Sequence, residues 1–115
     1  MQSPFRSDSL SLRGPMPEIH PQEVYEQKER FVLVDVREPY ELTGPEGKID
    51  GAILATLGHE LIAFLATADP SKEYVFICRR GHRSAQACDL ARTAYGFEKA
   101  YNMQGGMMAW NEMRK

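Results

Sequence analysis

Chemically reactive side chains are concentrated in residues 76–88, which read FICRRGHRSAQAC. A thiol, Cys78, is followed by three arginines and one histidine within five positions. Positive charge and backbone N–H groups around a cysteine stabilise its thiolate, which is the nucleophilic form. Because the whole chain carries a net charge of −2, this positive charge is local, and it predicts an anion-binding site around Cys78.

A buried strand followed directly by a helix is expected to position this segment. Residues 73–79 form an apolar run typical of a strand covered on both faces, and a helix is expected to begin near Arg83 or Ser84. The free N–H groups at the start of such a helix favour an anion, and Gly81 permits the positive φ of a tight loop. Ligands of parallel α/β sheets bind beyond the carboxyl ends of the strands, where Cys78 would lie.

Strand and helix patterns alternate along the rest of the chain, which predicts an α/β domain with a mainly parallel sheet. A short helical turn is expected at Pro39, and Gly96 is a stop signal for the helix that follows Cys78. Further strands are expected at residues 17–20, 31–37, 51–55 and 99–103, and helices at residues 21–29, 58–68, 83–96 and 105–115.

The composition is that of one soluble domain. The chain has 115 residues, of which 43% are hydrophobic and 26% charged. No apolar run approaches the roughly 20 residues of a membrane-spanning helix, and no secretory signal is evident. We therefore expect a cytoplasmic protein with neither a membrane nor a nucleic-acid partner, built as a flexible tail (residues 1–16) and a single domain (residues 17–115).

The chain contains two cysteines, Cys78 and Cys88, too few for a disulfide scaffold. No CxxC pair or Cys/His cluster indicates zinc, so we expect neither a metal site nor a cofactor. A reducing compartment fits this cysteine content. Cys88 lies ten residues beyond Cys78, within the expected helix, and is expected to be a core residue.

Four segments of the sequence resemble the rhodanese-homology domain family. They are LVDVREPYEL, GKIDGAILA, CRRGHRSAQA and GFEKAYNMQGGMMAW, and they occur in the family's order from about residue 17 to the end. In the second segment, Lys48 and Asp50 stand where the family more often has His and Pro. The resemblance implies a five-stranded, mainly parallel sheet flanked by helices on both faces, with residues 78–83 as the catalytic loop.

The resemblance also implies a sulfurtransferase that needs no cofactor. Cys78 would accept a sulfane sulfur from an anionic donor such as thiosulfate, become a persulfide, and pass the sulfur to cyanide or a thiol. A sulfur-relay protein could take part in this exchange. Backbone N–H groups from Arg79 through Ser84 would stabilise the persulfide and the developing charge.

The side chains of the loop are expected to have different roles. Arg79 and Arg80 would attract a divalent anionic donor, whereas Arg83 could either do the same or hold the loop through a carboxylate. His82 is expected to be a solvated histidine rather than a general acid. For Ser84, helix capping is favoured over a hydrogen bond to Cys78.

Asp35 and Arg37 are two further candidates for a catalytic role. They lie at the end of an expected strand, and we expect them to brace the structure rather than to catalyse.

Two other functions are alternatives to sulfur transfer. A non-catalytic, partner-binding module of the same family would be compatible with the fold, although the cysteine is present. Phosphatase or arsenate reductase activity is less favoured, because the loops of tyrosine phosphatases place one residue more between cysteine and arginine than the four between Cys78 and Arg83.

Overall fold

A five-stranded parallel sheet forms the centre of residues 16–115, the part of the chain that this computed structural model describes. Its strands are β1 (Glu18–Ile19), β2 (Val32–Asp35), β3 (Ile53–Leu54), β4 (Tyr74–Ile77) and β5 (Ala100–Met103). The strand order is β1-β5-β4-β2-β3, and all four neighbouring pairs are parallel. The predicted α/β fold is confirmed, whereas the predicted tail lies outside the described residues apart from Met16.

The helices are α1 (Pro21–Glu26), α2 (His59–Thr67), α3 (His82–Ala94) and α4 (Gly106–Met113). Short 3₁₀ helices, Lys28–Arg30 and Pro39–Thr43, precede and follow β2. The helix that begins at Pro21 was expected to reach residue 29 but ends at Glu26, because Gln27 adopts a non-helical conformation with φ of −124°. Within residues 16–115, no helix has the length and apolar character needed to cross a membrane.

Both faces of the sheet are covered, as the side chains of β4 show. Val75 and Ile77 belong to an apolar cluster with residues of α1 and α4, whereas Tyr74 and Phe76 belong to a second cluster with residues of α2 and α3. Successive strand residues point to opposite faces, so a continuous apolar run fills both clusters. The predicted flanking of the sheet by helices on both faces is therefore confirmed.

The strand β4 is the element that positions the site. It is the central strand, with β2 and β5 paired to its two edges, and every one of its residues is buried. Chain direction then places Cys78, the residue after β4, at the carboxyl edge of the sheet. Because α3 begins at His82, one residue earlier than expected, only three residues separate Cys78 from the helix.

Candidate active site

The Cys78 side chain lies at the edge of a small pocket in front of the sheet. Only 1% of Cys78 is exposed. The pocket has a volume of about 180 Å³ and is lined by Cys78, Arg79, Arg80, His82 and Arg83. A reagent that reaches the sulfur must therefore be small and must pass four residues that are cationic or can become so.

The loop after Cys78 wraps its hydrogen-bond donors around the sulfur. Gly81 has a φ of +104°, in the left-handed region that suits glycine, and its N–H donates to the Cys78 Sγ at 3.0 Å. The Ser84 Oγ lies 3.2 Å from the same sulfur. Ser84 was expected to cap the helix, but the N-cap is Gly81, and the Ser84 side chain faces the sulfur instead.

The ionisation of Cys78 reflects a balance between burial and these donors. Burial alone raises the pKa of the thiol because it disfavours the charged form. Hydrogen bonds from the Ser84 hydroxyl and from the backbone N–H groups of Ser84, Gly81 and Arg80 act in the opposite direction. The net result is that the pKa of Cys78 is lowered from its ordinary 9.0, so hydrogen bonds lead the stabilisation of the thiolate.

The three arginines of the loop differ in how their charges are compensated. Arg79 forms an ion pair with Glu46 at 3.2 Å, and Arg83 forms a two-pronged pair with Glu41 at 2.8 and 3.0 Å. Among residues 16–115, no carboxylate lies within ion-pair distance of Arg80. Within this described part of the chain, Arg80 is therefore the arginine of the pocket whose charge has no carboxylate partner, and the exposed His82 also lines the pocket.

The carboxylate of Glu41 holds Arg83 in place at the pocket wall. The hydrogen bonds from Arg83 lower the pKa of Glu41 to about 2, with a further contribution from the backbone N–H of Glu38. Arg37 also acts on Glu41, since its charge contributes to the same lowering of the pKa. This pairing supports the alternative in which Arg83 anchors the loop through a carboxylate.

Asp35 and Arg37 form a buried ion pair at the carboxyl end of β2. Two nitrogens of the Arg37 guanidinium donate to the Asp35 carboxylate at 3.0 and 2.7 Å, and both residues are at most 2% exposed. The Arg37 Nη2 also donates to the Gly47 carbonyl oxygen at 2.8 Å, and the Thr56 hydroxyl donates to the Arg37 carbonyl at 2.7 Å. These contacts tie the segments that follow β2 to the sheet, which supports a bracing role.

Asn102 is a residue of the site that the sequence analysis did not single out. It lies in β5, is 2% exposed, and its Oδ1 is 2.5 Å from the Ser84 Oγ. Its Nδ2 donates to the Gly81 carbonyl oxygen at 3.1 Å. The available signal was a polar residue inside an otherwise apolar strand, because a buried amide must find partners.

The start of α4 supports the loop from its other side. The N–H groups of Met107 and Met108 donate to the carbonyl oxygens of Cys78 and Arg79 at 2.8 and 3.0 Å. These N–H groups have no partner within their own helix, so the loop satisfies them. The contact is close enough that a Cβ at Gly106 would lie 2.5 Å from both carbonyl oxygens.

Cys88 is separated from this chemistry. It is fully buried in α3 within the apolar cluster beneath the sheet, and both cysteines are free. Burial raises the pKa of Cys88 to about 12, so this thiol stays protonated. The environment of Cys88 matches the expected core residue.

Comparisons with known proteins agree with this geometry. The family model for the Rhodanese-like domain matches residues 20–113. The chain is 43% identical over 88 residues to the Bacillus subtilis protein named "Putative sulfurtransferase YtwF", covering 76% of this chain and 81% of that protein. It is 33% identical over 81 residues to the thiosulfate sulfurtransferase GlpE of Shewanella oneidensis, covering 70% of this chain and 75% of that protein.

A solved structure gives the same result. The crystal structure of a rhodanese-related protein from Thermoplasma volcanium has a TM-score of 0.74 and 29% identity, covering 84% of this chain and 92% of that one. The family model spans four of the five strands, β2 to β5, together with the loop after β4 and the whole of α4. The chain therefore belongs to the Rhodanese-like domain family, and it is similar to members named sulfurtransferases.

Proposed function

We propose that this protein is a sulfurtransferase that moves a sulfane sulfur from an anionic donor, such as thiosulfate, to cyanide or a thiol through a persulfide on Cys78. The observation that carries the proposal is the environment of the Cys78 sulfur. It accepts the Gly81 N–H at 3.0 Å in a pocket lined by Arg80, which forms no ion pair with any carboxylate of residues 16–115. A thiolate stabilised in this way is a nucleophile, and the positive charge of Arg80 offsets part of its repulsion from an anionic donor.

The first half-reaction loads sulfur onto the cysteine. The Cys78 thiolate attacks the outer sulfur of thiosulfate, a new S–S bond forms, and the bond between the two thiosulfate sulfurs breaks. Sulfite leaves with the electron pair of that bond, and Cys78 carries the persulfide anion. Arg80 faces the donor's charge, while the backbone N–H groups of the loop surround the sulfur to which the new atom is attached.

The second half-reaction releases the sulfur. Cyanide or a thiolate attacks the outer sulfur of the persulfide, the S–S bond to Cys78 breaks, and the Cys78 thiolate leaves with the electron pair. The donors that stabilise the thiolate before the reaction stabilise it again as the leaving group. Because the sulfur is held covalently between two separate encounters, ping-pong kinetics are expected.

Steady-state kinetics with thiosulfate and cyanide test this proposal. Thiocyanate formation should give parallel double-reciprocal lines, and the Cys78→Ala variant should form none above background. An aryl phosphate and arsenate, assayed in parallel, address the phosphatase and arsenate reductase alternatives. Turnover of either compound without thiocyanate formation would contradict the proposed function and favour the corresponding alternative.

The same assay addresses the partner-binding alternative. A protein that forms no thiocyanate from thiosulfate or from an organic persulfide, yet keeps its biological role as Cys78→Ala, would be a binding module. The proposal requires the opposite result, in which the role is lost together with the thiol.

A further inference from the structure

The Ser84 hydroxyl has two hydrogen-bond partners but only one proton to donate. Its Oγ lies 3.2 Å from the Cys78 Sγ and 2.5 Å from the Asn102 Oδ1. A hydroxyl can accept further hydrogen bonds, but it donates one. All three residues are buried, at 0–2% exposure. The Ser84 proton must therefore point to either the sulfur or the amide oxygen at any moment.

The orientation of the Asn102 amide is fixed by its other contacts. The Nδ2 donates to the Gly81 carbonyl oxygen at 3.1 Å and to the Glu18 carboxylate at 3.3 Å. Both partners are acceptors, so the nitrogen must face them and the oxygen must face Ser84. The Asn102 Oδ1 can therefore only accept a hydrogen bond from the Ser84 hydroxyl, because an amide oxygen carries no hydrogen to donate.

The protonation state of Cys78 decides in which direction the Ser84 hydroxyl donates its hydrogen bond. In the thiol form, the Cys78 S–H donates to the Ser84 Oγ, and Ser84 donates onward to the Asn102 Oδ1. In the thiolate form, the sulfur has no proton and needs a donor, so the Ser84 hydroxyl turns to it. The Asn102 Oδ1 then loses its donor, and leaving a buried acceptor unpaired has a free-energy cost.

We infer that Asn102 is a positioning residue that competes with the Cys78 sulfur for the single hydroxyl proton of Ser84. The hydroxyl turns to the sulfur only when Cys78 loses its proton, and it returns to Asn102 when the thiol forms again. This inference rests on the proposed function only in taking the Cys78 thiolate as the reacting species. It means that Asn102, a buried residue of β5, affects how readily Cys78 forms its thiolate.

Charged and titratable groups surround this arrangement on several elements. Arg79, Arg80, His82 and Arg83 line the pocket with Cys78, Glu41 acts through its pair with Arg83, and Glu18 acts through Asn102. Apart from Glu18, each of these groups is left untouched by changes at Ser84 and Asn102. Variants at those two positions therefore distinguish the effect of the Ser84 hydrogen bond on Cys78 ionisation from the effect of the surrounding charges.

A double-mutant cycle on Ser84 and Asn102 tests the inference. The four proteins are the wild type, Ser84→Ala, Asn102→Leu and the double variant. The measured quantity is the pH midpoint of Cys78 alkylation by iodoacetamide, followed by peptide mass so that Cys88 is scored separately. No sulfur donor is present, so the result is independent of whether the protein transfers sulfur.

The expected result is a coupling between the two changes. Ser84→Ala should raise the midpoint because the thiolate loses a donor. When Ser84 is present, Asn102→Leu should lower the midpoint, because the freed hydroxyl donates to the sulfur alone. This shift should be more negative, by at least ~0.5 pH unit, than the shift that the same change causes in the Ser84→Ala background. An equal shift in both backgrounds would mean that Asn102 acts only through the Gly81 contact and would overturn the inference.

A measurement on the wild type covers the case in which Asn102→Leu does not fold. The side-chain amide resonances of Asn102 should move with pH at the Cys78 midpoint, since the Oδ1 loses its donor there. In Ser84→Ala this movement should be reduced to the small effect of the sulfur charge. Resonances that stay still in the wild type, or move equally in both proteins, would contradict the inference.

Discussion

At the scale of single residues, hydrogen bonds matter more for Cys78 than the formal charges that make its loop conspicuous. Two of the three arginines are paired with glutamates, whereas the Gly81 N–H and the Ser84 side chain contact the sulfur directly. The positive charge of the motif was visible in the sequence, which also allowed a carboxylate partner for Arg83 but did not show which carboxylate it is. Glu41 lies 42 residues from Arg83, and only the fold brings them together.

The two thiols should titrate far apart. Cys78 should be alkylated with a pH midpoint below the ordinary 9.0, because its donors stabilise the thiolate, whereas Cys88, with a pKa of about 12, should stay unreactive in the folded protein. Sulfur uptake from thiosulfate should rise with pH through the Cys78 midpoint and then level off. Alkylation resolved by peptide mass provides the check, and a Cys78 midpoint at or above 9.0 would be inconsistent with this account.

Arg80 should contribute most to recognition of the donor's charge. Arg80→Ala should raise KM for thiosulfate about fivefold, the effect expected from losing one partly solvated charge interaction. Arg79→Ala is the matched control and should have a smaller effect, since Arg79 is already paired with Glu46. Initial rates with thiosulfate and with an uncharged dialkyl trisulfide measure the difference. Equal changes in KM for both donors would show that Arg80 does not recognise charge.

At the scale of secondary-structure elements, α4 supports the loop that follows Cys78. Its first free N–H groups bind the carbonyl oxygens of Cys78 and Arg79, and Gly106 makes this approach close enough. The sequence predicted the helix, but no role could be assigned to the two glycines at its start, Gly105 and Gly106. A glycine pattern indicates that backbones approach closely, without saying which backbone is approached.

Gly106→Ala should therefore destabilise the protein strongly. The added Cβ would lie 2.5 Å from two backbone oxygens, so the loss should exceed ~2 kcal/mol, the range of overpacked sites. Gly47→Ala is a suitable control, because Gly47 has nearly the same φ, +64° against +63°, with open space at its Cβ. It should cost only the ~1–2 kcal/mol of a left-handed conformation. Urea unfolding measures both, and equal losses would contradict the close contact.

Element boundaries show where local sequence patterns reach their limit. The apolar run of β4 and the spacing of α2 and α3 predicted those elements because burial repeats along them. The end of α1 at Glu26 was not predicted, since no glycine or proline marks it. Ser84 was assigned to helix capping for a similar reason, because capping is a local preference and its contact with Asn102, 18 residues away, is not.

At the scale of the whole molecule, the order of strands converts distant segments into one site. The carboxyl ends of β2, β4 and β5 meet at one edge of the sheet, which brings Arg37, Cys78 and Asn102 into neighbouring positions. The alternating sequence pattern predicted the parallel sheet, and hence the edge. The cross-links among these segments depend on strand order and on side-chain geometry, which one sequence does not contain.

Stability in acid should depend on the pair between Glu41 and Arg83. The pKa of Glu41 is lowered from 4.5 to about 2 in the folded protein, so the unfolded chain takes up the proton at a higher pH. The stabilisation is therefore complete above about 4.5 and is lost as the pH falls towards about 2. Glu41→Gln should remove this part of the acid destabilisation.

The comparison requires urea unfolding of both proteins across that pH range. The difference in free energy of unfolding between wild type and Glu41→Gln should shrink as the pH falls, because Glu41 is then protonated and loses its charge interaction with Arg83. The other carboxylates titrate equally in both proteins and cancel in the difference. A difference that stays constant with pH would mean that the pair does not contribute through its charge.

Intact-mass analysis after incubation with thiosulfate tests the central claim most directly. The account predicts that the wild type gains one sulfur atom, that cyanide removes it, and that Cys88→Ala behaves in the same way. Cys78→Ser should gain none. A wild type that gains no sulfur, or a Cys78→Ser variant that gains as much, would contradict the assignment of Cys78 as the sulfur carrier.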